Sequence, residues 1–445
     1  MSEHFSWESC FYSLADAIFF QLKNGEILTI SFWGERTHFI RFNNSKIRQN
    51  GVVIDGNLKL NLIANRRQAS VTIPLSGDRD RDKKIAENGL EYLRTEIENA
   101  PEDEYIVYPR ENPSSKEVYQ GNVLGEDDVF EKILKPVEDV DFTGLYAGGN
   151  MARGYANSLG QTNWFSTDSF FVDYSLIDEN QKAIKGTFSG RNWVTEEYEK
   201  QINSKRKQLE KLKLPQREIK PGRYRVYLEP AAVAELLEMF SWGAISEASL
   251  QQGGSALARL RQGKTLSPLF NLKENFTRGD VPRFNEFGEI SPQELPLIIQ
   301  GRLVNTLVNG RTALEYNLVS NGANSSESLR APEIAPGNLT EEEILKSLDT
   351  GLYISNLHYL NWSDRQEGKI TGMTRYGCFW VEKGEIVATI KNLRFDESLY
   401  LFFGENLMAL TNFSQFIPNT STYESRSLGG KIVPGALIED FTFTL

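Results

Sequence analysis

The sequence predicts an α+β fold in two parts, a sheet-plus-helix N-terminal domain followed by a β-rich C-terminal domain. Three observations predict it. A chain of 445 residues is too long for one core and fits two domains. Alternating apolar residues dominate both ends, while helical spacing is confined to a few amphipathic stretches. A polar link bracketed by Pro215 and Pro221 separates the two regimes and sets the domains at 1–218 and 219–445.

Composition narrows the function classes. Hydrophobic residues make up 40% and aromatics 11%, which is ordinary for a globular protein. A net charge of −11 argues against a general nucleic-acid binder, because phosphate contacts need clustered Lys and Arg. Cys10 and Cys378 are the only cysteines, so there is no disulfide framework, and the chain suits a reducing compartment. The first twenty residues lack a basic region and are interrupted by Glu3, Glu8 and Asp16, unlike a signal peptide. No run of 18 apolar residues exists to span a bilayer. The expectation is a cytoplasmic protein with neither a membrane nor a nucleic-acid partner.

The elements follow in order. Phe11, Leu14, Ala15, Ile18 and Leu22 form a helical stripe, with Asn24-Gly25 as its C-cap. Five strands are expected at 26–33, 36–43, 46–54, 57–64 and 68–75, with Asp55-Gly56 turning a hairpin. A charged helix over about 80–99 points Ile85, Leu93 and Ile97 inward, and a weaker helix covers about 126–135. The Gly-rich stretch 142–158 leads into strands near 162–176 and 182–190. Its GGNMAR lacks the Lys-Ser/Thr of a phosphate loop and reads as a tight structural turn. The helix near 195–214 alternates charge signs, as a solvated face does, with Ile202, Leu209 and Leu212 inward.

In the second half, 302–319 reads as a hairpin turned at Asn309-Gly310. The loop from Ser320 to Asn338 is long enough for a lid or binding loop. Thr340 and Glu343 make a capping box for a helix over Ile344 to Leu348. A hairpin pair surrounds Glu382-Lys383-Gly384-Glu385.

The chain is organised around Tyr224 to Ser246, YRVYLEPAAVAELLEMFSWGAIS. Tyr224, Val226 and Leu228 alternate as in a half-buried edge strand, Glu229-Pro230 stops it, and Val233, Leu236, Leu237 and Phe240 follow at helical spacing. This strand–turn–helix resembles the TldD/PmbA (TldD/TldE) family of peptidase-like proteins. So do ERTHFIRFNNSKIRQNG (35–51), GLYAGGNMARGYANSLGQ (144–161), TGLYISNL and FWVEKGEIVATIKNLRF, which together spread the resemblance over nearly the whole chain. In the TldD branch the helix carries HExxxH, whose two His hold zinc, and a Cys near the C-terminus completes the site. The matching positions here begin with Glu238 and Met239 and end at Gly243, and the region from Phe413 to Val433 has no Cys. The resemblance therefore implies a TldE/PmbA-type chain with no cofactor of its own, paired with a TldD-type subunit that carries the zinc, or with itself. The pair would act on peptides. In this reading the C-terminal domain forms the subunit interface, through the 320–338 loop and residues such as Leu352, Ile354, Trp362, Phe379 and Trp380.

Two other classes stay open: an independent peptidase with a non-zinc site, and a regulatory binder of the DNA gyrase modulator type. For the first, the candidates are His358, Asp364 and Cys378, since a thiolate needs a base and an orienting acid. Against them, Cys378 alternates with Tyr376 and Trp380 as on a packed strand face. Glu235 and Glu238 are candidate ligands for a hard cation, although paired carboxylates on a helix usually face solvent. His38 reads as a packing residue and His4 as part of a frayed terminus.

Overall fold

The computed structural model describes residues 6–109, 113–125 and 127–444, so His4 lies outside the described residues. Among these, the strands form a seven-stranded sheet drawn from residues 27–190 and a twelve-stranded sheet drawn from 216–443. The mixed α+β class expected from the sequence is the class observed. No described helix is long and apolar enough to cross a membrane.

In the first sheet, Ile27–Asn43 pairs with Lys46–Ala64 on one side and Asp141–Asn157 on the other, and the latter pairs with Thr162–Ile177. Side chains alternate between faces, so even-numbered Leu28, Ile30, Phe32, Tyr146, Phe170 and Tyr174 share one face. Helices Trp7–Phe19, Arg79–Asn99 and Thr195–Lys211 cover that face and close two buried clusters. The opposite face carries Glu35, Thr37, Ala147, Met151, Ser169, Asp173 and Lys185.

Several elements differ from expectation. The first helix ends at Phe19 and is capped by Phe20, short of Asn24-Gly25. Five short strands become three, because 27–43 and 46–64 each run unbroken. Asp55-Gly56 lies mid-strand opposite Glu35 and Gly34. The reversals come instead at Asn44-Ser45 and Asn65-Arg66, where both residues take positive φ. Gly56 serves packing: a Cβ there would sit 2.4 Å from the Trp7 indole. Within the stretch 142–158, Asp141–Asn157 is a strand and GGNMAR lies inside it. At Gly149 (φ +150°) a Cβ would meet Arg36 O at 2.0 Å, so glycine there answers a close backbone approach. Residues 130–137 form a short π-helix and a 3₁₀ turn in place of the weak helix.

In the second sheet, Gly222–Leu228 is not an edge. It lies between Gly351–Asp364, parallel to it, and Gly430–Phe443, antiparallel, and Tyr227 is buried with Val226 and Leu228. The expected 302–319 hairpin is a two-residue strand and then a helix, Gly310–Tyr316, whose N-cap is Asn309 accepting from Thr312 N. Asn-Gly serves a helix start as readily as a turn. The 383–384 hairpin and the Thr340/Glu343 capping box are present as expected.

The 320–338 loop is pinned. Glu327 is buried and accepts from Ser246 Oγ at 2.6 Å, Ala248 N at 2.9 Å and Asn309 N at 3.0 Å. Glu274 receives the N–H groups of Arg330 and Ala331. A segment held at this many buried polar points is framework rather than lid.

Candidate functional site

The Pro230–Ser241 helix starts with Pro at its first turn, where a missing N–H costs nothing. It buries Ala232, Val233, Ala234, Leu236, Leu237, Met239 and Phe240 in the largest core of the protein. Only two ridges stay open. Glu235 and Glu238 reach solvent, and Trp242 caps the helix. Glu238 Oε2 lies 2.6 Å from Lys431 Nζ, which is contributed by the last strand. Met239 packs in the core, and Gly243 lies beyond the helix end at φ +76°.

These facts test the zinc that the family resemblance brings to mind. Two ligands from one helix must project from the same face. Here the first position is held by an ion pair, the second faces inward, and the third has left the helix. Lys431, a cation, stands in the region where the TldD branch places its Cys. Among the described residues no group of three or more His, Cys, Asp or Glu is placed to hold a metal. The residues present do not fit zinc.

Glu235 touches water, yet the surrounding protein raises its carboxyl above the usual range, with Lys431 and Lys185 opposing and Glu238 adding to the rise. Lys185 reaches from the first sheet, 2.5 Å from Asp173 Oδ2, and Thr187 Oγ1 donates to Asp173 Oδ1 at 2.9 Å. Asp173 and Lys185 line a cavity of about 790 Å3 with Phe39, Leu145, Val53 and Thr422. Alternating charges therefore run from the first sheet to the helix, beside a cavity of mixed polar and apolar lining large enough for a short peptide segment. The arrangement offers hydrogen bonds and charge and no activated nucleophile.

The structure does not bring His358, Asp364 and Cys378 together. Cys378 is fully buried opposite Ile354, while His358 pairs with Met373 four residues further along its strand. Cys378 Sγ donates to Arg375 O, and burial pushes its thiol up to about 12, the wrong direction for a nucleophile. His358 lies against Tyr359 and Arg375, with burial and the guanidinium holding it below its usual value. Asp364 is exposed and accepts from Glu367 N in the following turn. His38 is buried, with Nε2 2.5 Å from Asn50 Oδ1.

Sequence reasoning missed Arg426. It is 2% exposed and threads from the 419–429 segment into the first sheet. Its guanidinium donates to Ser169 O at 2.6 Å and Gly149 O at 2.9 Å, and its backbone N donates to Glu35 Oε1 at 3.0 Å. Burial lowers it to about 10, opposed mainly by Glu35. It fixes the chain next to Thr422 on the cavity wall. No local pattern signals it, because its acceptors are backbone carbonyls far away in sequence. Of the residues expected at a subunit surface, Leu352, Ile354, Phe379 and Trp380 are core, and Trp362 is half-buried with Nε1 donating to Trp242 O at 2.7 Å.

No curated protein matches the chain. Three solved structures match its fold over 98% of its length. A Thermotoga maritima protein named for modulation of DNA gyrase is 19% identical and covered in full, with a TM-score of 0.75. TldE from Thermococcus kodakarensis is 16% identical and 99% covered, also at 0.75. A Bacteroides thetaiotaomicron protein with the gyrase-modulator name is 15% identical and 98% covered, at 0.73. Residues 221–445 match the family model of the PmbA/TldA metallopeptidase C-terminal domain, half of the chain and all of the region around the central helix. The chain belongs to the TldD/PmbA family.

Proposed function

We propose that this chain is a metal-free, TldE-like subunit of a two-chain cytoplasmic peptidase. In this reading it positions an extended peptide while a TldD-type partner supplies the zinc. The observation that carries the reading is the Glu238–Lys431 pair, with Met239 turned into the core and Gly243 past the helix end. The surface that would hold a metal instead presents a carboxylate and an ammonium. The cavity lined by Asp173 and Lys185, with Glu235 in the field of Lys185, supports a binding role, because it supplies charge and hydrogen bonds without a nucleophile.

The test is a peptide-cleavage assay on the chain alone, on a TldD-type protein alone, and on the mixture. Cleavage is expected to need both chains and to survive Cys378→Ala and His358→Ala in this one. Cleavage by this chain alone, abolished by either substitution, would replace the reading with an independent non-zinc peptidase.

A further inference from the structure

A second cavity, of about 310 Å3, lies between strands of the first sheet and the segments 278–280 and 416–429 of the second half of the chain. It shares no lining residue with the cavity of Asp173 and Lys185. Five charged side chains line it, Arg191, Arg278 and Arg426 against Glu197 and Asp280, which leaves one positive charge in excess. Arg278 is already paired, with Nε 2.7 Å from Asp280 Oδ2, and Glu197 is exposed. Arg426 donates to Ser169 O and Gly149 O, which are neutral acceptors. Arg191 is the unsatisfied member. Its Cζ stands 5.1 Å from the centre of the Tyr119 ring, and its Nη1 is buried with no hydrogen-bond partner among the described residues. A buried guanidinium N–H without an acceptor is costly and rare in a folded protein.

We propose that this cavity binds a small organic carboxylate, with its oxygens on the Arg191 guanidinium and its body against Phe416 and Leu428. A planar guanidinium matches a carboxylate through two parallel hydrogen bonds. One positive charge in excess suits a monoanion better than a phosphate dianion. The volume lies at the lower end of the range for ligand sites and suits a molecule the size of a single amino-acid residue. The carboxylate can belong to a free acid or to the C-terminus of a peptide, and the site does not depend on the peptidase reading.

The test is calorimetric titration of the full chain with 3-phenylpropionate, N-acetyl-phenylalanine, N-acetyl-phenylalaninamide and inorganic phosphate. Both carboxylates are expected to bind at about 1 mM or tighter, and the amide and phosphate at least about tenfold more weakly. Tighter binding of N-acetyl-phenylalanine than of 3-phenylpropionate assigns the site to a peptide terminus, and equal or weaker binding assigns it to a free acid. Arg191→Gln is expected to weaken the carboxylates at least about tenfold with unchanged thermal melting. Carboxylates that do not bind at about 10 mM, an amide or phosphate that binds as well as they do, or a folded Arg191→Gln chain that binds like the wild type would each overturn the site.

Discussion

Glu238 Oε2 and Lys431 Nζ stand 2.6 Å apart, tying the open ridge of the central helix to the last strand of its sheet. The carboxylate is more than half exposed, so the pair adds at most about 1 kcal/mol to stability. Its consequence is chemical. An ammonium beside this open carboxylate repels a cation, and the neighbouring Glu235 lies in the same field.

Glu235 sets a pH dependence. Its carboxyl is raised in the folded protein, chiefly by burial, so its favourable contribution belongs to the protonated form. That contribution is complete below the unfolded pKa and is lost as pH rises through the folded one. Glu235→Gln should therefore melt higher than wild type at neutral pH, with the difference vanishing in acid. Equal melting curves across the range would contradict the raised carboxyl of Glu235.

Both thiols should be silent. Cys378 is pushed up to about 12, and Cys10 is raised by burial and by Asp82. Titration of the native protein with a thiol reagent at mildly alkaline pH is expected to label neither, with both reacting once the chain is unfolded. Prompt labelling of Cys378 in the native state would reopen the nucleophile candidate.

The 320–338 segment should behave as framework. Glu327→Ala removes three buried acceptor contacts and is expected to cost roughly 3 kcal/mol in denaturant unfolding. A loss within experimental scatter, together with fast amide exchange across 320–330, would restore the lid.

We propose the domain division at about residue 218. Residues 215–218 are exposed, whereas 27–42 is largely buried. Limited proteolysis should cut first within 213–222 and leave two fragments that elute together, because Arg426 inserts into the first sheet. First cleavage inside 26–75 would count against the division.

The parts of the fold that were legible in the sequence were those set by local chemistry. The helix of Thr195–Lys211, the capping box at Thr340 and the turn at Lys383-Gly384 depend on neighbours along the chain. The misreadings have different causes. Asp55-Gly56 and Asn309-Gly310 carry turn chemistry, but in the first case long-range pairing with Gly34 and packing of Trp7 decide, and in the second the cap to Thr312 does. Tyr224–Leu228 alternates like an edge strand and is central, because its two partners come from residues more than a hundred positions away. At the site, the lost zinc motif was readable by position, whereas Lys431 and Arg426 become meaningful only once the last strands are in place.

The central claim is that this chain has no zinc site of its own, and metal analysis of the purified protein after zinc exposure and desalting tests it most directly. The account predicts far less than one zinc per chain, unchanged by Glu238→Ala or His358→Ala. One zinc per chain, lost on either substitution, would contradict it.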